Sequence, residues 1–94
     1  MVKVLTAGTF DSLHYGHIRL LKRAKALGDE LFVMLSSDEF NKIKGKESLL
    51  TYEQRKEVLE AVKYVDMVLP ENDWSDKIKY ISCLDIDIFT IGDD

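Results

Sequence analysis

TAGTFDSLHYGH, residues 6–17, stands where one sequence pattern gives way to another. Before it, Val2 to Ala7 reads VKVLTA, short, rich in β-branched residues and closed by Gly8, which predicts a buried strand. After it, HIRLLKRAKAL from His17 to Leu27 sets Ile18, Leu21 and Ala24 on one helical face, with Leu20 and Leu27 beside it and Arg19, Lys22 and Arg23 opposite. Gly28 follows where a left-handed cap residue belongs. A strand that turns into a helix in this way puts residues 8–17 at a strand's carboxyl end, where open parallel sheets bind their ligands. Gly8 allows a sharp backbone turn. His17 falls at the helix start, where free N–H groups and the helix dipole favour an anion, and Gly16 lets a phosphate approach the main chain. His14 and His17, the two histidines of the chain, can donate hydrogen bonds to a phosphate whose charge grows during reaction. The same residues admit two other uses. Asp11 or Ser12 would cap a turn and leave the histidines on the surface, or the pair at i and i+3 would be weak metal ligands. With no third histidine and a single cysteine, zinc is disfavoured; surface loop and phosphate site both stay open on the residues alone.

Outward from this turn, strands and helices alternate. ELFVMLS, residues 30–36, is apolar without alternation, as a strand covered on both faces should be. Asp38 to Ile43 predicts a short helical turn, and KIKGKES, residues 42–48, a basic loop. Thr51 and Gln54 have capping-box spacing ahead of a helix reaching about Tyr64, with Val58, Leu59, Val62 and Val65 facing inward. Asp66 to Leu69 is a third strand ended by Pro70. Asp73 or Ser75 caps a helix from Asp76 to Leu84, and DIFTIG, residues 87–92, is a fourth strand. The order predicts an α/β fold, a Rossmann-like parallel sheet of four strands with helices on both faces.

The 94 residues make one small domain, 46% apolar and 32% charged, the balance of a globular protein. The longest apolar run, Leu31 to Leu35, is too short to span a bilayer. Residues 1–7 lack the pattern of a secretory signal, and Cys83 in its apolar stretch reads as an inert buried thiol, so the expected location is the cytoplasm. A net charge of −4, from 13 basic and 17 acidic residues, argues against nucleic acid as the main partner. It leaves room for an anionic small molecule wherever basic residues gather. By default Lys42, Lys44 and Lys46 are solvated loop charges, and Arg55 beside Glu53 or Glu57 is a surface ion pair worth well under ~1 kcal/mol.

The stretch GTFDSLHYGH, with its HxGH motif, resembles the cytidylyltransferase-like nucleotidyltransferases. SSDEFNKIKGK, YEQRK, YVDMVLPENDW and DIDIFTIGDD resemble successive blocks of the bacterial glycerol-3-phosphate cytidylyltransferases of teichoic acid synthesis, so the likeness runs over the whole sequence. That resemblance implies transfer of CMP from CTP to glycerol 3-phosphate, giving CDP-glycerol and pyrophosphate, with Mg2+. It implies that His14 and His17 contact the CTP phosphates, that Asp11 places the metal or the phosphates, and that Thr9, Phe10 and Gly16 belong to the nucleotide site. Lys44 and Lys46 would hold the pyrophosphate or the incoming phosphate, Arg55 would bind phosphate, and Asp94 would lie near the nucleotide. Lys63 stands where the family commonly has arginine; charge is kept and the bidentate fork is lost. Trp74 of the Pro-Glu-x-x-Trp block points to the glycerol branch; its own role is left open, with a core or interface aromatic as the plain alternative. The family continues with an Arg-Thr-x-Gly-x-Ser-Thr-Thr segment that this sequence lacks, from which weak or absent activity is expected. A homodimer is implied as well. Related HxGH enzymes, of the FAD synthetase or ethanolamine-phosphate cytidylyltransferase type, and a non-catalytic nucleotide-binding remnant are the alternatives.

Overall fold

A computed structural model describes residues 1–91. The chain runs β1 (Lys3–Gly8), α1 (Tyr15–Ala26), β2 (Glu30–Ser36), α2 (Asp38–Ile43), α3 (Tyr52–Glu60), β3 (Met67–Glu71), α4 (Asp76–Cys83) and β4 (Ile88–Ile91). The four strands pair in parallel in the order β3-β2-β1-β4. Because strand side chains alternate between faces, Val4, Leu31, Val33, Leu35 and Val68 form one apolar surface, which packs with Leu21 and Ala24 of α1 and Leu59 of α3. Leu5, Phe32 and Met34 form the other, covered by Tyr80 and Ile81 of α4 with Leu84 and Phe89. This is the expected Rossmann-like α/β layering. It also explains why ELFVMLS shows no alternation: β2 is covered on both sides and is buried from Leu31 to Ser36.

The winding fixes where a ligand can sit. From β1 the chain steps outward to β2 and β3, then returns across β1 to add β4 on its other side. The reversal lies between β1 and β4, and the crevice it opens is at their carboxyl ends, Gly8 and Ile91.

Several boundaries differ from those the sequence predicts. Helix α1 starts at Tyr15 with His14 as its N-cap, so His17 sits one turn inside. Gly28 is not left-handed; α1 ends on Leu27 in right-handed geometry. A Cβ on Gly28 would stand 2.8 Å from the Val2 carbonyl oxygen, so the glycine permits the close passage of chain against β1. Helix α3 stops at Glu60, and Ala61 and Val62 close it with tighter bonds to the Val58 and Leu59 carbonyls. Its inward stripe is Arg55 and Leu59, four apart, which rotates Val58 outward to 41% exposure. Strand β3 continues through Pro70 to Glu71, as an edge strand can when the missing donor faces away from the ladder. Cys83 is exposed, not buried, because α4 turns Tyr80, Ile81 and Leu84 to the sheet and Cys83 away from it. No helix among the described residues is long and apolar enough to cross a membrane.

Candidate functional site

The turn after β1 is the most constrained part of the backbone. Phe10 and Ser12 both adopt left-handed geometry, with φ of 48° and 53°. This costs a residue with a side chain roughly 1 kcal/mol or more. The reversal expected at Gly8 is made here instead, while Gly8 stays in β1 opposite Leu35. Three contacts hold the turn. The Phe10 ring is buried and packs on His17, centroids 5.4 Å apart. The Asp11 carboxylate accepts the backbone N–H groups of Leu49 and Leu50 at 2.8 and 3.0 Å. Arg55 Nη1 donates to the Thr9 carbonyl at 2.9 Å.

His14 and His17 form a capping box at the start of α1. Nδ1 of His14 accepts the Gly16 amide at 3.0 Å, and Nδ1 of His17 accepts the His14 amide at 3.2 Å. A neutral imidazole that accepts at Nδ1 carries its proton on Nε2. Both rings are thereby fixed as Nε2–H donors, their centroids 4.0 Å apart and their planes tilted by 35°, at the carboxyl end of β1. Gly16 has a part in addition to the one expected. A Cβ there would lie 2.9 Å from Cε1 of His14, so the missing side chain makes room for the imidazole.

The basic loop reaches the same end of the sheet. Ser37 caps α2 by accepting the Phe40 amide, and Gly45, at φ 74°, turns the chain so that the Lys46 amide bonds the Asn41 carbonyl. Lys46 faces His14 and His17 across a cavity of about 520 Å³. It also lines a second cavity of about 300 Å³ with Lys44, Glu71, Trp74 and Lys77. A third, about 460 Å³, runs from the histidines past Arg23 to Thr90 and Ile91. Shared walls at His14, His17, Lys46 and Ile91 join the three into one trough along the crevice. Trp74 is a wall of this trough, 64% exposed and set edge-on against Phe40 at 4.8 Å. Lys77 and Glu71 were not singled out from the sequence; only the fold brings the start of α4 and the end of β3 beside Lys44.

Arg55 departs furthest from its expected place. It is 1% exposed, and its guanidinium donates to the carbonyls of Thr9, Ser36 and Leu50 and to the Asp38 carboxylate. With those bonds made it clamps the ends of β1 and β2 to α3, and is neither a surface ion pair nor placed to hold a phosphate. The Tyr52 amide, followed by Arg55, holds the Asp38 carboxyl below its usual range against the opposing effect of burial. Burial pushes Glu71 up, with Lys44 pulling the other way. Lys63 is exposed, packs over the Tyr64 ring and precedes β3, at the opposite end of the sheet from the trough. Thr9 is buried, its hydroxyl donating to Asn41 Oδ1. Asp94 lies outside the described residues.

A magnesium cage does not emerge from these residues. No cluster of three or more His, Cys, Asp or Glu able to hold a metal occurs among the described residues. Asp11, the expected ligand, has both carboxylate oxygens engaged by the loop amides.

A family model described as cytidylyltransferase-like matches residues 5–94. The glycerol-3-phosphate cytidylyltransferase of Staphylococcus aureus is 53% identical over 94 residues, all of this chain and 71% of that protein. The FAD synthase of Pyrococcus abyssi is 42% identical over 94 residues, 99% of this chain and 64% of its own length. Among solved structures, the lipopolysaccharide core biosynthesis protein from Thermoplasma volcanium GSS1 matches with a TM-score of 0.90 at 35% identity, covering 100% of this chain and 76% of that one.

Proposed function

The chain belongs to the cytidylyltransferase-like family, and on that premise we propose that it transfers CMP from CTP to glycerol 3-phosphate. A phosphate oxygen of the acceptor attacks the α-phosphorus of CTP; that P–O bond forms as the bond to the β-phosphate breaks, and pyrophosphate leaves with the electron pair. A phosphomonoester is already an anionic nucleophile at neutral pH, so no side chain has to remove a proton from it. Catalysis then rests on positioning and on stabilising charge. His14 and His17 donate from Nε2 to the reacting phosphate, Lys46 meets the departing pyrophosphate, and Lys44 and Lys77 bracket the acceptor phosphate beside Trp74. The triphosphate would bring magnesium with it, which would offset part of its charge, since the described residues form no cage for the ion. The protein works in the cytoplasm as a homodimer, with exposed Leu49 and Ile78 among the apolar side chains available for contact.

One observation carries this reading: both histidines are tied through Nδ1, which leaves two neighbouring Nε2–H donors at the winding reversal. His14→Asn tests it, because asparagine is a good N-cap but has no equivalent of Nε2. Thermal stability should stay within about 0.5 kcal/mol of the parent, while pyrophosphate release falls on the order of 10²-fold. Turnover at the parent rate would remove His14 from the chemistry. The FAD synthase relative keeps adenylyl transfer as the second reading. Calorimetric preference for ATP over CTP would select it, and CTP binding without any pyrophosphate release would select the non-catalytic alternative.

A further inference from the structure

Glu71 ends β3 at the carboxyl end of the sheet, the end that also carries the histidine turn after β1. It is 8% exposed, and its side chain lines the cavity of about 300 Å³ with Lys44, Trp74 and Lys77. Among the described residues its carboxylate makes no ion pair within 4 Å, although Lys44 and Lys77 are near enough to favour its charge and Asp76 near enough to oppose it. A largely buried carboxylate without a hydrogen-bonded partner is costly. In a cavity meant only for phosphate it is also counterproductive, since it repels the ligand. Both difficulties disappear if the ligand has two ends. A phosphate would take Lys44 and Lys77, and hydroxyl groups at the other end would supply the donors that Glu71 lacks. A carboxylate only accepts, and its two oxygens suit two neighbouring hydroxyls.

We propose that Glu71 is a specificity-determining residue that binds the vicinal hydroxyls of a small polyol phosphate in the Lys44–Lys77 cavity. This rests on the transfer reading above and adds to it which end of the acceptor is read, and by what. Hydrogen bonds to a charged acceptor are worth more than those to a neutral one, and a site built around substrate hydroxyls rejects analogues without them.

Titration calorimetry on the full chain tests it, with CTP, glycerol 3-phosphate and n-propyl phosphate, which has the phosphate and carbon chain but no hydroxyls. The parent should bind glycerol 3-phosphate on the order of 10²-fold more tightly than propyl phosphate. Glu71→Gln should reduce that preference about tenfold. Glu71→Asp, which keeps the charge but withdraws it by one methylene, should reduce it in the same direction. CTP affinity should hold within twofold in both variants. Equal parent affinity for the two phosphates, or a preference unchanged in both variants, overturns the assignment of Glu71 while CTP binding leaves the nucleotide site standing. Failure of the parent to bind CTP overturns the transfer reading itself, and this inference with it.

Discussion

A serine or asparagine at the N-cap of α1 would accept the Gly16 amide as His14 does, since short polar side chains are the favoured caps. The imidazole adds a second nitrogen on the far side of the ring, and the cap bond decides which way that nitrogen points. His17 repeats the device one turn later by accepting the His14 amide, so each ring's tautomer is held by a backbone amide of the same turn. Gly16 completes the arrangement, because its missing Cβ is the space that the His14 ring occupies. Gly16→Ala separates that role from helix formation. Alanine in a helix is favoured over glycine by about 1 kcal/mol, roughly what one net hydrogen bond contributes, so unfolding should be little changed. The displaced ring should nevertheless weaken CTP binding about tenfold, a loss of one charge-assisted hydrogen bond. Equal CTP affinity in the two proteins would show that the ring position does not matter.

The elements around the turn are joined by bonds between residues distant in sequence. Asp11 accepts from Leu49 and Leu50, and Arg55 reaches from α3 to Thr9 and Ser36, so the loop carrying Lys44 and Lys46 is strapped to the histidine turn from both sides. Asp11→Asn should loosen it, because an asparagine amide accepts through one oxygen only and turns a donor toward the second N–H. Hydrogen exchange at Leu49 and Leu50 should accelerate by tenfold or more, as expected for the loss of a bond to a charged group. The apparent KM for CTP should rise along with it; unchanged protection at both amides would refute the strap. These bonds also mark the limit of what the sequence reveals. Apolar runs and cap spacings are local, and they locate β2, α2, the Thr51–Gln54 box and the layering of the sheet. The turn at residues 6–17 is legible for the same reason, as strand, glycine, histidines and helix follow one another directly. Arg55 looks like any solvated helix arginine, since its partners lie up to 46 residues away. Glu71 and Lys77 join the site only once β3 and α4 are in place, and Cys83 is buried or exposed according to a helix rotation of one position.

Across the whole molecule, function and stability meet at one end of the sheet, where the titrating groups Asp38 and Glu71 lie on opposite sides of their ordinary values. The Tyr52 amide, then Arg55, lowers Asp38 despite some burial. Its contribution is therefore present above the ordinary aspartate value and is lost as the pH falls through the lowered one. Glu71 has the opposite sign. Burial raises it, so the native chain binds more protons than the unfolded chain between the ordinary and the raised values. Its contribution is complete below the ordinary glutamate range and is lost as the pH rises through the raised value. Ionisation of Glu71 thus weakens the fold, at a strand end where a ligand can reach the carboxylate; such conflict between local stability and activity is common at binding sites. Glu71→Gln removes the charge and keeps the shape. At pH 7–8 the variant should melt a few degrees higher than the parent, by roughly the Tm shift that about 1 kcal/mol produces in a domain of this size. The gap should close as the pH falls, and vanish below the ordinary carboxylate range where the parent side chain is also neutral. A melting advantage that persists undiminished in acid would mean that shape or packing, not the buried charge, sets the cost of Glu71.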